Sequence, residues 1–332
     1  MSTNQKRLAV LYWGRRGGGI ELFNQLVRDT KLENFWLLES LRPTKKDKQG
    51  LMKQISALDM YSWIKARHRF VSKALEQKVE VVLIVMSSPW DMWLGRKLAK
   101  YGIEVIRVIH DGKPHKGEIF PSKFWIRLLT KDCSKVITLS KFVANELSNL
   151  YGLNPSRITV CQFPIPIIRK IASNSPNSRK KVLLIGRGKK YQGQELFEKA
   201  SRLLGNKPIE MVIAGEGFKP NLNHPKIIYK NWWMSHNEFI EEIASSSLVI
   251  FPYIEASQSG TISICTSLGI PVIVTPIGGL PEQVIQGVTG LILTDTTPRS
   301  ICAGIEEALN WPWSLENSQT IFLKSQNLIQ SL

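Results

Sequence analysis

Residues 251–290 constrain the fold more than any other stretch, because short apolar runs alternate there with polar and glycine-rich turns. The stretch reads as a strand end, a polar loop, a helix, a buried strand and a turn at Gly278 and Gly279. This alternation indicates an α/β domain with a parallel sheet. The loop at 258–261 precedes the predicted helix, whose first N–H groups and positive dipole end favour a bound phosphate. An ordinary strand–helix–strand unit without a ligand is the alternative that this pattern leaves open.

The positive charge of the chain is confined to its first half. Residues 1–172 hold 30 Lys and Arg against 14 Asp and Glu, whereas residues 173–332 hold 14 against 13. A surplus on one half predicts a polyanionic partner for that half, either an acidic membrane face or a nucleic acid. The length of 332 residues and the 43% hydrophobic content are enough for two domains of ordinary size.

The sequence predicts neither a membrane span nor a disulfide framework. Its apolar runs all stay shorter than the roughly 18 residues that a spanning helix needs. The first residues lead directly into a strand and a glycine loop, so we expect no signal peptide. The four cysteines are scattered without the spacing of a metal site, and we expect reduced, buried thiols in a cytoplasmic protein.

The chain opens with a strand at 7–13, a glycine-rich loop and a helix, as dinucleotide-binding domains do. The dinucleotide fingerprint is not met, because Leu22 stands where its third glycine belongs. Glu39 follows the next predicted strand, where such domains place the acid that binds a ribose. A nicotinamide-dependent enzyme is therefore an alternative.

Two predicted helices of the basic half, at 59–78 and 120–131, combine aromatic and cationic side chains. These residues include Trp63, Lys65, Arg69, Phe70, Lys123, Phe124, Trp125 and Arg127. Such a mixture suits a helix that lies at a membrane interface. A solvated face over a packed apolar stripe is the commoner outcome and stays open for each helix taken alone.

A segment rich in Pro, Ser and Asn at 164–181 is typical of a linker. We therefore predict an N-terminal domain over 1–170, a C-terminal domain over 171–311 and a last helix over 312–332. The second domain again opens with a strand, a glycine loop and a helix. Its loop carries Arg187, Lys189 and Lys190, which can form charge-assisted hydrogen bonds to a diphosphate.

The stretch at 251–290 resembles the donor-sugar signature of retaining glycosyltransferases of family 4, which have the GT-B fold. The residues that follow the family order are Pro252, Tyr253, Glu255, Gly269, Pro271, Val272, Ile273, Gly278, Gly279, Pro281, Glu282 and Gly290. Family members usually carry two glutamates separated by seven residues, and those places fall here on Ala256 and Ile264. The chain looks like a branch with a Gln-Ser-Gly loop that does without the second acid.

A second stretch, which starts at His110, resembles the His-Asp-x-x-Pro-His-x-Gly motif of the same branch. The resemblance implies that His110 contacts the donor sugar near the reacting carbon. It also implies that the following loop, with His115 and Lys116, shapes the acceptor side. A hydrogen-bonded core histidine is the alternative for His110.

The resemblance covers about 7–310 and implies an α/β GT-B fold, in which two Rossmann-like domains face each other across a cleft and the helix at 312–332 returns to the first domain. It implies retaining transfer of a sugar from a nucleotide-sugar donor to a glycan or lipid-linked acceptor, in cell-surface polysaccharide or glycolipid synthesis. No metal and no cofactor are expected. The expected location is cytoplasmic and peripheral on the inner face of the membrane, with an anionic membrane surface and no nucleic acid as partner.

The resemblance also assigns site residues. His110 and Glu255 are the predicted catalytic residues. The predicted donor-binding residues are Gly18, Gly19, Arg187, Lys190, Ser259, Gly260, Thr261 and Glu282. Gln192 stands where the family has a lysine, so that Lys189 or, as we prefer, Lys190 takes its place. Trp232 is a candidate stacking face for the nucleobase, with packing between domains as the alternative.

Two other classes of function remain open at this point. The missing glutamates and the missing lysine at Gln192 allow a catalytically degenerate GT-B protein that acts as a binding or regulatory partner. Measured sugar transfer separates that class from an enzyme. A nucleic-acid-binding protein, suggested by the basic half alone, has no recognised reading motif.

Overall fold

The computed structural model describes residues 7–12, 36–38, 60–86, 93–116, 122–161, 180–220 and 226–313. These residues form two α/β domains, each with a parallel sheet flanked by helices. The predicted α/β architecture of two Rossmann-like domains is therefore confirmed. The boundary near 170 falls in 162–179 and the last helix in 314–332, both outside the described residues, so both stay predictions.

The N-terminal domain contains a parallel sheet with the strand order β2-β1-β3-β4-β5-β6. Its strands are β1 (Leu8–Tyr12), β2 (Trp36–Leu38), β3 (Val81–Met86), β4 (Glu104–Ile109), β5 (Lys135–Thr138) and β6 (Ile158–Val160). Its described helices are α1 (Met60–Glu76), α2 (Leu94–Ala99), α3 (Lys123–Lys131) and α4 (Lys141–Tyr151).

The C-terminal domain contains a second parallel sheet with the strand order β12-β11-β10-β7-β8-β9. Its strands are β7 (Lys180–Ile185), β8 (Ile209–Ala214), β9 (Ile227–Lys230), β10 (Leu248–Phe251), β11 (Val272–Val274) and β12 (Gly290–Ile292). Its described helices are α5 (Gln194–Leu203), α6 (His236–Ala244), α7 (Gly260–Leu268) and α8 (Pro298–Asn310).

The central strands form where the sequence has continuous apolar runs, because both faces of a parallel sheet are covered by helices. Residues 81–85 of β3 and 248–251 of β10 are fully or almost fully buried. Helix α4 shows how local signals set its ends. The Ser140 hydroxyl accepts a hydrogen bond from Val143 N at the start, and Gly152 ends the helix at φ 64.

One predicted helix is shorter in the structure. The helix predicted over 120–131 begins at Lys123. Ser122 is its N-cap and accepts a hydrogen bond from Trp125 N, which sets the start of the helix. The short edge strand β6 was not predicted, because only three residues pair with β5.

Both sheets bring their functional loops to the carboxyl edge. In the second sheet β7 lies between β8 and β10, so the strand order reverses beside β7. In the first sheet the corresponding reversal lies between β1 and β3, with β4 next to β3. Open α/β sheets bind their ligands outside the carboxyl ends of strands at such points.

Candidate functional site

The loops after β7 and β10 meet where the second sheet reverses its strand order. The first loop carries Arg187, Lys189 and Lys190, and the second leads into α7. Ile254 N donates a hydrogen bond to Tyr191 O at 2.9 Å and joins the two loops. Gly193, at φ 74, lies so close to the other loop that an added Cβ would be 1.8 Å from Pro252 O. The two loops therefore form one continuous surface.

The side chain of Gln192 holds the Arg187 loop in shape. Its Oε1 accepts hydrogen bonds from Arg187 N and Lys189 N, both at 3.1 Å, and its Nε2 donates to Tyr253 Oη at 2.9 Å. Both Gln192 and Tyr253 are buried, and burial raises the pKa of Tyr253 to about 12. Gln192, which stands where the family has a lysine, thus fixes the backbone of this loop.

Arg187, Lys189 and Lys190 are all exposed on this loop. Within the part of the chain that the structure describes, the guanidinium of Arg187 has no ion-pair partner. Lys190 begins a 3-10 turn, Lys190–Gln192, directly before α5. A guanidinium held on a rigid backbone is well suited to bidentate recognition of a diphosphate.

Helix α7 begins as predicted at 258–261. Ser259 is its N-cap residue, but its side chain makes no capping hydrogen bond. Gln283 holds the backbone here: its Oε1 accepts from Ser259 N at 2.7 Å and its Nε2 donates to Ser259 O at 3.0 Å. The partly buried Gly260 and Thr261 form the first turn. A helix start without a side-chain cap keeps its first N–H groups for a ligand.

His110 follows β4 and lies against the neighbouring strand β3. Its Nε2 is 3.0 Å from Val85 O, and because a carbonyl only accepts, Nε2 carries the proton in the neutral ring. Burial lowers the pKa of His110, although the charge of Asp111 and the bond to Val85 act in the opposite direction. The ring is therefore neutral at physiological pH, and its Nδ1 is an acceptor.

Asp111 and His115 form a polar pair in the loop after β4. The Oδ1 atom of Asp111 is 3.1 Å from Nε2 of His115. Burial favours the neutral acid, but hydrogen bonds from His115 and Ser257 and the charges of His115 and His110 hold the pKa of Asp111 below its ordinary value. The His115 ring also contacts the Tyr191 ring of the other domain, with centroids 4.7 Å apart. This loop of the N-terminal domain therefore also contacts the C-terminal domain.

Glu255 connects the two domains directly. Its Oε2 accepts a hydrogen bond from Lys116 N at 2.7 Å. The predicted catalytic acid of the C-terminal domain is thus in contact with the predicted acceptor-side loop of the N-terminal domain. Predicted catalytic and acceptor-side residues, including His115, converge on this part of the cleft.

Glu282, in the C-terminal domain, contacts the start of helix α4 in the N-terminal domain. Its carboxylate accepts from Lys141 N at 2.6 Å and from Phe142 N at 2.8 Å. Close by, Ser140 Oγ donates to Ser257 O at 3.3 Å. Glu282 therefore caps a helix across the cleft, a contact that the sequence did not suggest, and its role on the donor stays a prediction.

A cavity of about 450 Å³ opens between the domains at these contacts. It is lined by Lys113, His115, Lys116, Phe142, Ile254, Glu255, Ala256, Ser257, Ile277 and Gly278. Gly278 has φ 58, and an added Cβ would lie 1.6 Å from Ala256 O. The double-glycine turn of the signature is therefore required for this wall of the cavity to close.

The described residues do not include all of the predicted ones. Gly18 and Gly19 are outside the described residues, as are the side chains of Trp63 and Lys65. Trp232 is half exposed in the loop after β9, and its stacking on a nucleobase stays a prediction.

The structure corrects which aromatic residues can face a membrane. Phe70 is fully buried among β1, β3 and α2, and only 7% of Trp125 is exposed. Both pack inward because they lie on the apolar stripe of their helices. Phe124, by contrast, is 75% exposed beside the exposed Lys123 and Arg127.

Sequence reasoning missed several functional contacts for a common reason. Gln192, Asp111, Tyr191 and Ser140 act through partners more than 20 residues away or in the other domain. The one available signal was the departure from the family lysine at Gln192. Such a departure marks a position worth inspection, but it does not reveal the new partners.

Within the described ranges, no group of three or more His, Cys, Asp or Glu side chains comes together as a metal site would need. No helix in those ranges is long and apolar enough to cross a bilayer.

Comparison with known proteins bears on both domains. The family model described as Glycosyltransferase Family 4 matches residues 51–167, and the model described as Glycosyl transferases group 1 matches residues 179–310. The two matches do not overlap and between them include most of both domains. No curated protein sequence matches the chain.

Solved structures with the same fold are available for comparison. A glycosyltransferase from Rickettsia africae ESF-5 is 15% identical with a TM-score of 0.65, over 97% of this chain and 94% of its own. HepE of Anabaena, in complex with UDP and glucose, is 13% identical with a TM-score of 0.66, over 97% and 95%. Sucrose-phosphate synthase from Thermosynechococcus elongatus is 13% identical with a TM-score of 0.67, over 96% and 95%.

At these identities the structural likeness establishes the fold alone, whereas the two family models bear on the activity. The fold agrees with the architecture described above, and both domain models name the same class of enzyme. The chain is a glycosyltransferase with the two-domain GT-B fold.

Proposed function

We propose that this glycosyltransferase takes its sugar from a nucleotide-sugar donor and transfers it with retention at the anomeric carbon. The observation that carries the proposal is the joined surface of the Arg187 loop and the start of α7, at the point where the second sheet reverses. Two further observations support it: the resemblance at 251–290, and the UDP and glucose in the complex of the similarly folded HepE.

The leaving diphosphate is the group that needs most stabilisation in such a reaction. Arg187 offers charge-assisted hydrogen bonds, and the uncapped start of α7 at Gly260 and Thr261 offers backbone N–H groups. Lys190 adds a cation from the same loop. Preorganised donors of this kind stabilise charge that develops in the transition state.

His110 and Glu255 are proposed to act at the sugar. A neutral His110, whose Nε2 is held by Val85 O, presents Nδ1 as an acceptor for a sugar hydroxyl. Glu255 lies in the cavity between the domains and is an acceptor for further hydroxyls. Together they would orient the anomeric carbon between the diphosphate site and the acceptor loop.

The acceptor is proposed to be a glycan or a lipid-linked sugar, in the synthesis of a cell-surface polysaccharide or glycolipid. Support comes from the surplus of Lys and Arg over Asp and Glu in residues 1–172, which suits an enzyme on the inner, anionic face of a membrane. The exposed Phe124, between Lys123 and Trp125 on α3, adds an apolar contact point.

A screen of nucleotide sugars by thermal shift tests the donor, since a ligand that binds the folded state raises the melting temperature. The best donor is then incubated with candidate acceptors, and the anomeric configuration of the product is read by NMR. Transfer with retention supports the proposal. A product with inverted configuration, or donor binding with neither hydrolysis nor transfer, contradicts it.

A further inference from the structure

The cavity between the domains has two chemically different walls. Lys113 and Lys116 are cationic, whereas Phe142, Ile254 and Ile277 are apolar. Ligand sites are usually apolar clefts with a few well-placed polar groups, and about 450 Å³ lies within their size range. Two ammonium groups favour an anionic group of the ligand, and three large apolar side chains favour an apolar part.

The donor diphosphate does not account for this cavity. Arg187, Lys190 and the start of α7 at Gly260 are not among its lining residues. These are the groups proposed above to hold the donor diphosphate. The two lysines therefore line a space that those diphosphate-binding groups do not line.

Both lysines retain hydrogen-bond donors for a ligand. Lys113 pairs with Glu146 at 2.9 Å, which uses one of its three N–H groups, and 41% of its side chain stays exposed. Lys116 is exposed and has no ion-pair partner among the residues described. Glu255, a carboxylate in the lining, is already bonded to Lys116 N at 2.7 Å, and this bond fixes the backbone that carries the lysine.

We propose that this cavity binds the acceptor through an anionic group, a phosphate or a carboxylate, held by Lys113 and Lys116. The apolar part of the acceptor lies against Phe142, Ile254 and Ile277. The inference rests on the proposed function, which supplies the need for an acceptor, and it narrows the acceptor to an amphiphilic anion.

The test is calorimetric titration of the full chain with matched probes. Geranyl phosphate is compared with geraniol, and octyl glucuronide with octyl glucoside, so that only the charge differs within each pair. Inorganic phosphate serves as the anion without an apolar part. We expect at least one anionic amphiphile to bind about tenfold more tightly than its neutral partner and than inorganic phosphate.

Variants assign the binding to the cavity. Lys116→Glu is expected to weaken the anionic amphiphile by about tenfold or more, whereas Lys100→Glu, an equal charge change at the far end of α2, leaves it unchanged. Arg187→Ala is expected to weaken the binding of UDP but not the binding of the amphiphile. The inference is overturned if no anion binds, or if the anionic amphiphile binds no more tightly than its neutral partner or than inorganic phosphate. It is also overturned if Arg187→Ala, and not Lys116→Glu, weakens binding of the amphiphile.

A parallel titration with UDP separates this inference from the proposed function. UDP binding without anion binding overturns the acceptor inference and leaves the donor proposal standing. Anion binding that depends on Lys116, without binding of any nucleotide, supports the anion site and overturns the donor proposal.

Discussion

Glu282 accepts a hydrogen bond from the backbone N–H of Lys141 at 2.6 Å, and the two residues belong to different domains. A second bond from Phe142 N, at 2.8 Å, makes the carboxylate a cap for the first turn of α4. A negative charge at a helix N-terminus also interacts favourably with the helix dipole. This residue, which the family signature associates with the donor, thus joins the two domains.

We expect Glu282→Ala to loosen this contact between the domains. Loss of charge-assisted bonds costs about 1.5–3 kcal/mol in favourable cases, so the arrangement in which the two domains meet at Glu282 becomes less populated. Hydrogen exchange at the Lys141 and Phe142 amides is expected to accelerate. Glu241→Ala, on the exposed face of α6, is the matched control. Unchanged hydrogen exchange at both amides would show that Glu282 does not help to hold the two domains together.

Arg187→Ala is expected to weaken nucleotide binding without a loss of stability. Removal of a charge-assisted bond to the diphosphate costs about 1.5–3 kcal/mol, which is roughly a tenfold to hundredfold rise in Kd. The side chain is exposed, so the melting temperature should change little. Titration with UDP measures the effect, with Arg202→Ala on the exposed face of α5 as control. Undiminished affinity in Arg187→Ala would refute the site assignment.

Gln192→Ala is expected to affect both stability and donor binding. It leaves the backbone N–H groups of Arg187 and Lys189 without their buried acceptor, at a cost of about 1–3 kcal/mol. The Arg187 loop should lose its shape and nucleotide affinity should fall. A double-mutant cycle with Tyr253→Phe tests the shared hydrogen bond, for which coupling of about 0.5 kcal/mol or more is expected. Strict additivity would mean that the two side chains act independently.

The lowered pKa of His110 predicts a dependence of stability on pH. The ordinary pKa of a histidine is 6.5, and the folded protein keeps the His110 ring neutral below that pH. As the pH falls below 6.5, the unfolded chain therefore binds more protons at this residue than the folded protein does. The free energy of unfolding is therefore fully retained above pH 6.5 and decreases as the pH falls toward the lower pKa of the folded state. The decrease is up to about 1.4 kcal/mol for each pH unit between the unfolded and the folded pKa of His110.

The comparison that isolates this group is wild type against His110→Gln, whose amide can still donate to Val85 O. Thermal unfolding of both proteins is measured between pH 7.5 and 5. The stability advantage of the wild type should shrink as the pH falls. A constant difference over this range would mean that His110 is not held neutral by the fold.

Membrane docking is expected to depend on α3. Reversal of Lys123 and Arg127 to glutamate removes two attractive charges, each worth about 1 kcal/mol near an anionic surface, and Phe124→Ala removes the exposed aromatic. Sedimentation with anionic liposomes at low salt measures the loss. Lys199→Glu, on the exposed face of α5 in the C-terminal domain, is the control for charge. If the wild type ignores anionic liposomes, the basic surplus serves another purpose.

Most of the architecture follows from local patterns in the sequence. Continuous apolar runs predict the central strands because both faces of a parallel sheet are buried, and Ser140 and Gly152 mark the ends of α4. The glycine turn at Gly278 and the helix start at Gly260 were likewise visible. Such signals act between neighbours along the chain, so the sequence alone is enough to read them.

The tertiary structure decided which side chains meet. An amphipathic pattern on α3 does not say that Trp125 is buried and Phe124 exposed, because that depends on which face meets the sheet. Nor does it show that Gln192 binds Tyr253 across 61 residues, or that Glu282 caps a helix 140 residues earlier in the chain. Hydrogen bonds need partners within about 3 Å in space, and sequence distance carries no information about that separation.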